Sequence, residues 1–300
     1  MDELEFRDGD GLTIFYRRWL PTGPARRIVL IAHGMSEHSG RYARVAAKLV
    51  ARANAVYAPD HRGHGRTSKS TGVGRTGPSG MDGVLADLAR LAEIARTDVG
   101  ALPVVLFGHS MGSMISLAFA ERHGASLVGL ALSGSPGADG AVAEMARGIR
   151  QAVDAGMGEQ PAAALSTFNT AFEPARTPYD WLSRDPAEVD AYLADPYCGD
   201  AHPMTYGFLA ELMEMAAPSL EPSAIAKIPA QLPILLLTGE ADPASNGAAN
   251  VRELERRMRG AGLSVESIYY PGARHEVLNE TNREEVERDL LAWIDRIVPA

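Results

Sequence analysis

The 300-residue sequence contains one cysteine, Cys198, which excludes an internal disulfide bond. The first residues, Met1 to Arg7, are largely acidic and polar and lack the apolar core of a secretory signal. No apolar run approaches the ~18 residues that a transmembrane helix needs. We therefore expect a reducing, cytoplasmic location and no transmembrane segment, with Cys198 as a half-buried apolar residue.

An excess of basic charge is also absent. The formal net charge is −9, and residues 136–232 carry it all, with 14 Asp and Glu against 5 Lys and Arg. This distribution argues against nucleic acid as a partner and against electrostatic attraction to anionic membranes. A general contribution to solubility explains the acidic segment equally well.

The most informative stretch present is residues 102–113, Leu-Pro-Val-Val-Leu-Phe-Gly-His-Ser-Met-Gly-Ser. Its apolar run Val104 to Phe107 predicts a strand buried on both faces, and apolar residues at helical spacing follow as far as Gly124. A G-x-S-x-G motif between a strand and a helix is typical of a nucleophile elbow. Ser110 would then present its hydroxyl at a helix N-terminus, where free N–H groups favour developing negative charge.

Further apolar runs predict the rest of a sheet. Leu4 to Leu20 is predicted to form a hairpin, and buried strands are predicted at Arg27 to Ala32 and from Pro233 onward. Further strands are predicted at Ala55 to Ala58, Leu127 to Leu132 and Val265 to Tyr270. Helical patterns, including Met81 to Val99, separate the buried strands. This alternation predicts an α/β fold with a mostly parallel sheet between two layers of helices.

The alternation stops between Ala138 and Lys227, where prolines break a series of helical segments. We expect residues 136–227 to form an inserted helical cap, or lid, on a core domain made of residues 1–135 and 228–300. One predicted helix is crowded with apolar side chains. They are Phe208, Leu209, Leu212, Met213 and Met215, and they indicate either ordinary packing or a wall for a lipid chain.

Three polar residues each follow a predicted strand, in the chain order Ser110, Asp242, His275. Parallel strands bring their carboxyl ends to one edge of the sheet, so these residues can meet there. His275 would take the proton of Ser110, and Asp242 would orient the imidazole. Glu240 is the alternative acid, but Asp242 precedes Pro243 at the expected loop tip and is the preferred candidate.

The strand Arg27 to Ala32 runs into His33-Gly34-Met35, where this architecture places an oxyanion donor. The backbone N–H groups of Met35 and Met111 are the candidates. We expect His33 to support the loop. His61 and His64 lack further ligands at zinc-site spacing, so they predict a structural turn, and the sequence predicts no metal.

Five motifs together carry a family resemblance. They are His33 to Tyr42 (HGMSEHSGRY), Pro59 to Gly65 (PDHRGHG), Gly108 to Gly112 (GHSMG), the Asp242 turn and Pro271 to Glu276 (PGARHE). With the cap segment from Leu182 to Gly199, the chain resembles the monoacylglycerol lipase and lysophospholipase family of α/β-hydrolases over nearly its whole length. The resemblance implies a cofactor-free serine hydrolase that removes one acyl chain from a glycerol or glycerophosphate backbone. It assigns Ser110, Asp242 and His275 to the triad, and Met35 and Met111 to the oxyanion hole.

The sequence thus predicts a carboxylic ester hydrolase that acts on monoacylglycerol or a related lysolipid through an acyl-enzyme. Its expected partner is this small-molecule ester, with at most transient membrane-surface contact through the cap. A carboxylesterase for short soluble esters is one alternative. A non-catalytic hydrolase fold that binds a ligand is another, although a pure scaffold needs no acid or histidine at those turns. Enzymes with a carboxylate nucleophile are disfavoured because Ser110 occupies the elbow.

Overall fold

Eight strands form one sheet in the computed structural model, which describes residues 1–138, 140–162 and 166–298. The strands are β1 (Asp2–Arg7), β2 (Thr13–Trp19), β3 (Arg27–Ala32), β4 (Asn54–Pro59), β5 (Val104–His109), β6 (Gly129–Ser133), β7 (Ile234–Gly239) and β8 (Val265–Tyr270). Their spatial order is β1-β2-β4-β3-β5-β6-β7-β8. β1 and β2 form the predicted antiparallel hairpin, and β2 also pairs antiparallel with β4. All other pairs are parallel, which confirms the mostly parallel sheet.

Helices cover both faces of this sheet. The described α-helices are α1 (Ala43–Val50), α2 (Ser68–Thr71), α3 (Gly80–Val99), α4 (Met111–His123), α5 (Gly140–Ala152), α6 (Pro186–Ala194), α7 (Tyr206–Ser219), α8 (Pro222–Ile225), α9 (Ala249–Gly260) and α10 (Arg283–Ile297). The predicted strand at Leu127 begins two residues later, at Gly129, because Gly124–Ser126 forms a 3₁₀ turn after α4.

The buried strands are apolar on both faces because each face meets a helical layer. Successive side chains of a strand point to opposite faces. Ile28 and Leu30 of β3 accordingly join one core with α3, α4 and α9. Val29 and Ile31 join a second core with α1 and α10. This two-sided burial fixes the sheet and leaves its carboxyl edge to carry polar turns.

Between β6 and β7 lies the segment called the insertion below, residues 136–227. Its described residues form helices and short helical turns, and their β-pairing is a single bridge between Pro161 and Thr205. In one part, α7 packs against α3, α4 and α5. The other part has its own apolar cluster, consisting of Tyr179, Trp181, Leu182, Val189, Tyr192 and Cys198. Cys198 is only 2% exposed, so it is fully buried rather than half-buried as expected.

Among the described residues, no helix combines the length and the apolarity that a bilayer span requires.

Candidate active site

Ser110 occupies a sharp turn between β5 and α4. Its backbone adopts φ 53° and ψ −119°, a conformation that is costly for a residue with a side chain. Neighbouring backbone groups hold the turn in place. The Ser110 N–H donates to the carbonyl of Ser133 across 2.9 Å, and the N–H of Ser113 donates to the Ser110 carbonyl across 2.8 Å. The strained turn places the Ser110 side chain on the wall of a cavity.

Two glycines make this turn possible because backbone segments cross there at close range. A Cβ atom added to Gly108 would lie 2.3 Å from the carbonyl oxygen of Gly112. One added to Gly112 would lie 2.0 Å from the carbonyl oxygen of Ala32 in β3. Real Cβ atoms do not approach other atoms so closely, so only glycine fits both positions. The G-x-S-x-G pattern therefore has a steric cause.

His275 and Asp242 form a buried pair at the same edge of the sheet. The Nδ1–H of His275 donates to Asp242 Oδ2 across 3.0 Å, and Asp242 Oδ1 accepts from the N–H of Ala244 at 2.9 Å. The bond to Asp242 keeps the proton on Nδ1, so Nε2 of the neutral ring carries the lone pair that a general base needs. His275 lines the same cavity as Ser110, and the ring of Trp181 lies 4.8 Å from the imidazole.

The surroundings of His275 favour its protonated form. Burial by itself would lower the pKa of the imidazole, but the charge and hydrogen bond of the Asp242 carboxylate outweigh it. The carboxylates of Glu276 and Glu37 add to that effect, so the pKa of His275 is raised above its usual value. An imidazolium formed during proton transfer would be stabilised in this site.

Glu240, the alternative acid, lies elsewhere. Its Oε1 accepts from the guanidinium of Arg252 across 2.7 Å, and its side chain is 38% exposed. Among the described residues, the carboxylate that contacts the His275 ring is that of Asp242.

The Gly34–Met35 peptide borders the serine. A Cβ atom on Gly34 would lie 3.2 Å from the Cβ of Ser110. His33 orients this peptide. Its Nε2 accepts from the N–H of His61 across 2.9 Å, so Nδ1 carries the proton and donates to the Gly34 carbonyl across 2.7 Å. The Met35 N–H belongs to the same peptide as that carbonyl, so His33 supports the loop, as expected.

Met111 is the first residue of α4, where helical N–H groups have no partner within the helix. The N–H groups of the residues that follow already have an acceptor, because Ser113 and Met114 both donate to the Ser110 carbonyl. Among the described residues, the N–H groups of Met35 and Met111 have no acceptor. Two unpaired donors beside a serine hydroxyl are suited to bind an oxyanion.

A buried ionic network joins two of these loops, and sequence reasoning missed it. The Arg41 guanidinium donates to Glu37 at 2.8 Å and to both carboxylate oxygens of Glu276 at 2.5 and 2.8 Å. Glu37 also accepts from the N–H of Gly34 at 2.5 Å and from the hydroxyl of Tyr42 at 2.8 Å. Burial would raise the pKa of Glu37, but Arg41 lowers it below its usual value. The spacing of Glu37 and Arg41 in the sequence was a possible signal of an ion pair, whereas no local pattern indicated that Glu276 joins it.

An apolar cavity of about 260 Å³ opens onto Ser110 and His275. Its wall includes Met114, Leu117, Ile149, Leu209, Leu212 and Met213. Thus three of the five residues of the predicted apolar cluster line the cavity. Phe208 and Met215 do not. The Phe208 ring packs 5.2 Å from that of His64, and Met215 packs against the core. Among the described lining residues, none is Asp, Glu, Lys or Arg.

One group of possible metal ligands lies outside this cavity. Atoms of His38, Asp195 and Cys198 lie within 4.8 Å of one another. His38 accepts from the N–H of Gly40 at Nδ1, so its Nε2–H donates to Asp195 across 2.9 Å. Burial raises the pKa of the Cys198 thiol, and a neutral thiol is a poor metal ligand. Hydrogen bonding therefore accounts for this group.

Comparison with known proteins places the chain in a family. Residues 23–282 match the family described as "Serine aminopeptidase, S33". The chain belongs to this hydrolase family. The hydrolase is 32% identical to the monoacylglycerol lipase of Mycolicibacterium smegmatis over 97% of its own length and 96% of the relative's. It is 28% identical to human monoglyceride lipase, covering 92% and 87% of the two chains.

A solved carboxyl esterase from Bacillus coagulans is also similar to this hydrolase. It superposes with a TM-score of 0.92 at 30% identity, covering 99% of this chain and 98% of the esterase. The predicted resemblance, the α/β-hydrolase fold and the class of serine ester hydrolase are therefore confirmed.

Proposed function

We propose that this hydrolase cleaves the acyl ester of a monoacylglycerol or a related lysolipid, with Ser110, His275 and Asp242 as its catalytic triad. The observation that carries the proposal is the uncharged apolar cavity that opens onto Ser110 and His275. A cavity of this kind is suited to an alkyl chain, since methionine and leucine side chains adapt to flexible apolar ligands. The similarity to monoacylglycerol lipases supports the same substrate class.

The reaction proceeds in two halves. His275 Nε2 takes the proton of Ser110 as Oγ attacks the ester carbonyl, and the N–H groups of Met35 and Met111 bind the resulting oxyanion. The tetrahedral species collapses to an acyl-enzyme, and His275 returns the proton to the departing alcohol. A water molecule, activated by the same histidine, then attacks the acyl-enzyme and releases the fatty acid. Asp242 stabilises the imidazolium in both halves. The reaction requires no cofactor.

In this proposal the insertion acts as a cap. Residues 136–227 supply much of the cavity wall and select the substrate, while residues 1–135 and 228–300 carry the chemistry. In this proposal, contact with a membrane surface is at most transient and would involve this cap. The buried Cys198 and the lack of a disulfide agree with a reducing compartment, and we propose the cytoplasm.

The printed description of the family raises peptide hydrolysis as a second candidate. An aminopeptidase must hold the positively charged amino terminus of its substrate, for which a carboxylate near the nucleophile is suited. The described residues that line the cavity include no carboxylate. A neutral lipid ester therefore fits the described cavity better than a peptide amino terminus.

The test combines turnover with active-site labelling. Ser110→Ala is expected to lower ester hydrolysis by at least about a thousandfold, since the nucleophile is lost. It should also abolish labelling by a fluorophosphonate probe. Ser126→Ala, a substitution at an exposed serine, is the control and should leave both unchanged. Retention of more than a few per cent of the activity in Ser110→Ala would contradict the assignment.

A further inference from the structure

The turn that carries the Met35 N–H includes a strained serine. We call residues 33–38 the oxyanion turn. Within it, Ser36 adopts φ 53°, in the left-handed region that residues with side chains rarely occupy, and it is only 4% exposed. Such a conformation persists when the surrounding structure holds it in place. The contacts of Ser36 therefore indicate what fixes the turn.

Two donors from the insertion hold the Ser36 carbonyl. The hydroxyl of Tyr192 donates to it across 2.9 Å, and the N–H of Gly199 donates to it across 3.0 Å. The insertion reaches the same turn at another point, where His38 donates to Asp195 across 2.9 Å. The oxyanion turn is therefore bonded to a segment more than 150 residues away in the chain.

Tyr192 is itself rigidly placed. It is 3% exposed, and its ring lies 5.1 Å from that of Tyr179. The guanidinium of Arg41 lies over the Tyr192 ring at 4.8 Å. A buried aromatic ring that makes both of these contacts can hold its hydroxyl in a fixed position. Tyr192 thus provides a firm point of attachment for Ser36.

The peptide that carries the Met35 N–H is restrained at its own carbonyl, and a second restraint acts further along the turn. His33 donates to the Gly34 carbonyl of that same peptide. Two residues later, the Ser36 carbonyl accepts from Tyr192 and Gly199. Rotation about the Ser36 backbone would alter the direction of the preceding N–H groups. Restraint at Ser36 therefore restricts where the Met35 N–H points, and oxyanion stabilisation depends on such preorganised direction.

We propose that Tyr192 is a positioning residue for the oxyanion hole, whose hydroxyl holds the Ser36 carbonyl and so aims the Met35 N–H at the developing oxyanion. This inference rests on the proposed function, since it concerns the same ester hydrolysis. It adds a second task to the insertion, which then contributes to the chemical step as well as to substrate binding. Gly199 supplies the second bond to the same carbonyl.

The deciding variant is Tyr192→Phe, which removes the hydroxyl and keeps the packed ring. Tyr179→Phe is the matched control, because Tyr179 lies in the same apolar cluster and its hydroxyl donates to Asp200 at 2.7 Å. Each variant loses one hydrogen bond of a tyrosine hydroxyl and keeps its aromatic ring, so both are expected to fold. Thermal melting of the two variants measures any shared loss of stability.

Kinetic and inhibitor-binding measurements distinguish a loss of oxyanion-hole positioning from a general loss of structure. In Tyr192→Phe we expect kcat for a p-nitrophenyl ester to fall about tenfold with KM unchanged, less than the loss of an entire oxyanion donor causes. Binding of an alkyl trifluoromethyl ketone, which forms a tetrahedral adduct with the serine, should weaken by the same factor. The pH profile should not move, because the His275–Asp242 pair is untouched. Tyr179→Phe should stay within twofold of the wild type on every measure.

Equal losses in both variants, a change in KM alone, or unaltered ketone affinity in Tyr192→Phe would overturn the inference. The proposed function fails in a different way. A wild-type protein that hydrolyses no ester would overturn that function and this inference together, whereas an active wild type with an unaffected Tyr192→Phe would overturn this inference alone.

Discussion

Asp242 accepts a hydrogen bond from the Nδ1–H of His275 across 3.0 Å, and both side chains are almost completely buried. Glu240, two residues earlier in the chain, instead pairs with Arg252 at the surface. Both acids follow the same strand, so spacing alone left two candidates. The structure distinguishes them because the turn after β7 directs Asp242 inward, with its second carboxylate oxygen bonded to the N–H of Ala244.

Replacement of Asp242 by Asn should lower kcat severely, by about 10⁴-fold if the triad acts as in other serine hydrolases. An amide at this position can donate to Nδ1 and thereby favour the wrong tautomer, and it cannot stabilise the imidazolium. Glu240→Gln, the control two residues away, should stay within about twofold of the wild type because an exposed ion pair contributes little. Steady-state hydrolysis of p-nitrophenyl esters measures both. The opposite ranking would reassign the acid.

The pH dependence of kcat/KM should reflect the raised pKa of His275. The base is active when neutral, so activity should fall as the pH decreases through a value above the usual 6.5 of histidine. Glu276→Gln removes one of the negative charges that raise this pKa, so the acidic limb of the pH profile of kcat/KM should move to lower pH. Glu240→Gln is the control and should leave the limb in place. A shift of the limb to higher pH in Glu276→Gln would contradict this electrostatic account.

The cavity volume predicts a preferred acyl length. A dry cavity of about 150 Å³ holds benzene, which corresponds to about 25 Å³ per carbon atom. The cavity of about 260 Å³ therefore accommodates an acyl chain of about ten carbon atoms. A series of p-nitrophenyl esters from acetyl to palmitoyl should show its maximum near that length, followed by turnover of a monoacylglycerol. A maximum at acetyl or butyryl would instead indicate an esterase for short soluble esters.

The same series tests the cavity wall. Ala216 lines the cavity, and Ala216→Leu adds three carbon atoms to it, so the preferred chain should shorten by about three carbons. Ala217→Leu enlarges the neighbouring residue of α7, which does not belong to the described wall, and should leave the profile unchanged. Identical profiles for the two variants would place the acyl chain elsewhere.

Buried histidines should make the protein sensitive to acid. Burial lowers the pKa of His33, His61 and His64, and burial together with His275 lowers that of His109 to about 4. These groups stay neutral in the folded state while the unfolded chain protonates near pH 6.5. The free energy of unfolding should therefore fall as the pH drops below about 6.5, and each group adds a slope of up to about 1.4 kcal/mol per pH unit.

Denaturant titrations from pH 7 to pH 5 measure this slope. His64→Gln removes one buried titrating group and should make the dependence shallower. His123→Gln, at an exposed position, is the control and should leave the slope unchanged. A slope that is the same in His64→Gln and in the wild type would show that His64 does not contribute to the acid sensitivity.

Local patterns in the sequence determined most of the fold. Apolar runs bounded by turn residues identified the central strands β3 to β7, since a strand buried on both faces must be continuously apolar. The β1–β2 hairpin was instead indicated by the turn signal between its two strands. The G-x-S-x-G motif determined the elbow because Gly108 and Gly112 lie where backbones cross. Parallel topology then placed the turns that carry Asp242 and His275 at one edge, so the candidate triad followed from the chain order.

Tertiary structure alone decided what surrounds those residues. Tyr192 and Ser36 are 156 residues apart, and Arg41 and Glu276 are 235 apart, yet each pair is bonded. No periodicity or motif relates such positions, because side-chain partners across loops depend on how the insertion and the sheet edge pack together. The helix that carries the predicted apolar cluster shows the same limit of prediction from the sequence. Its residues were all apolar in the sequence, and only packing decided that Leu212 faces the cavity while Phe208 faces His64.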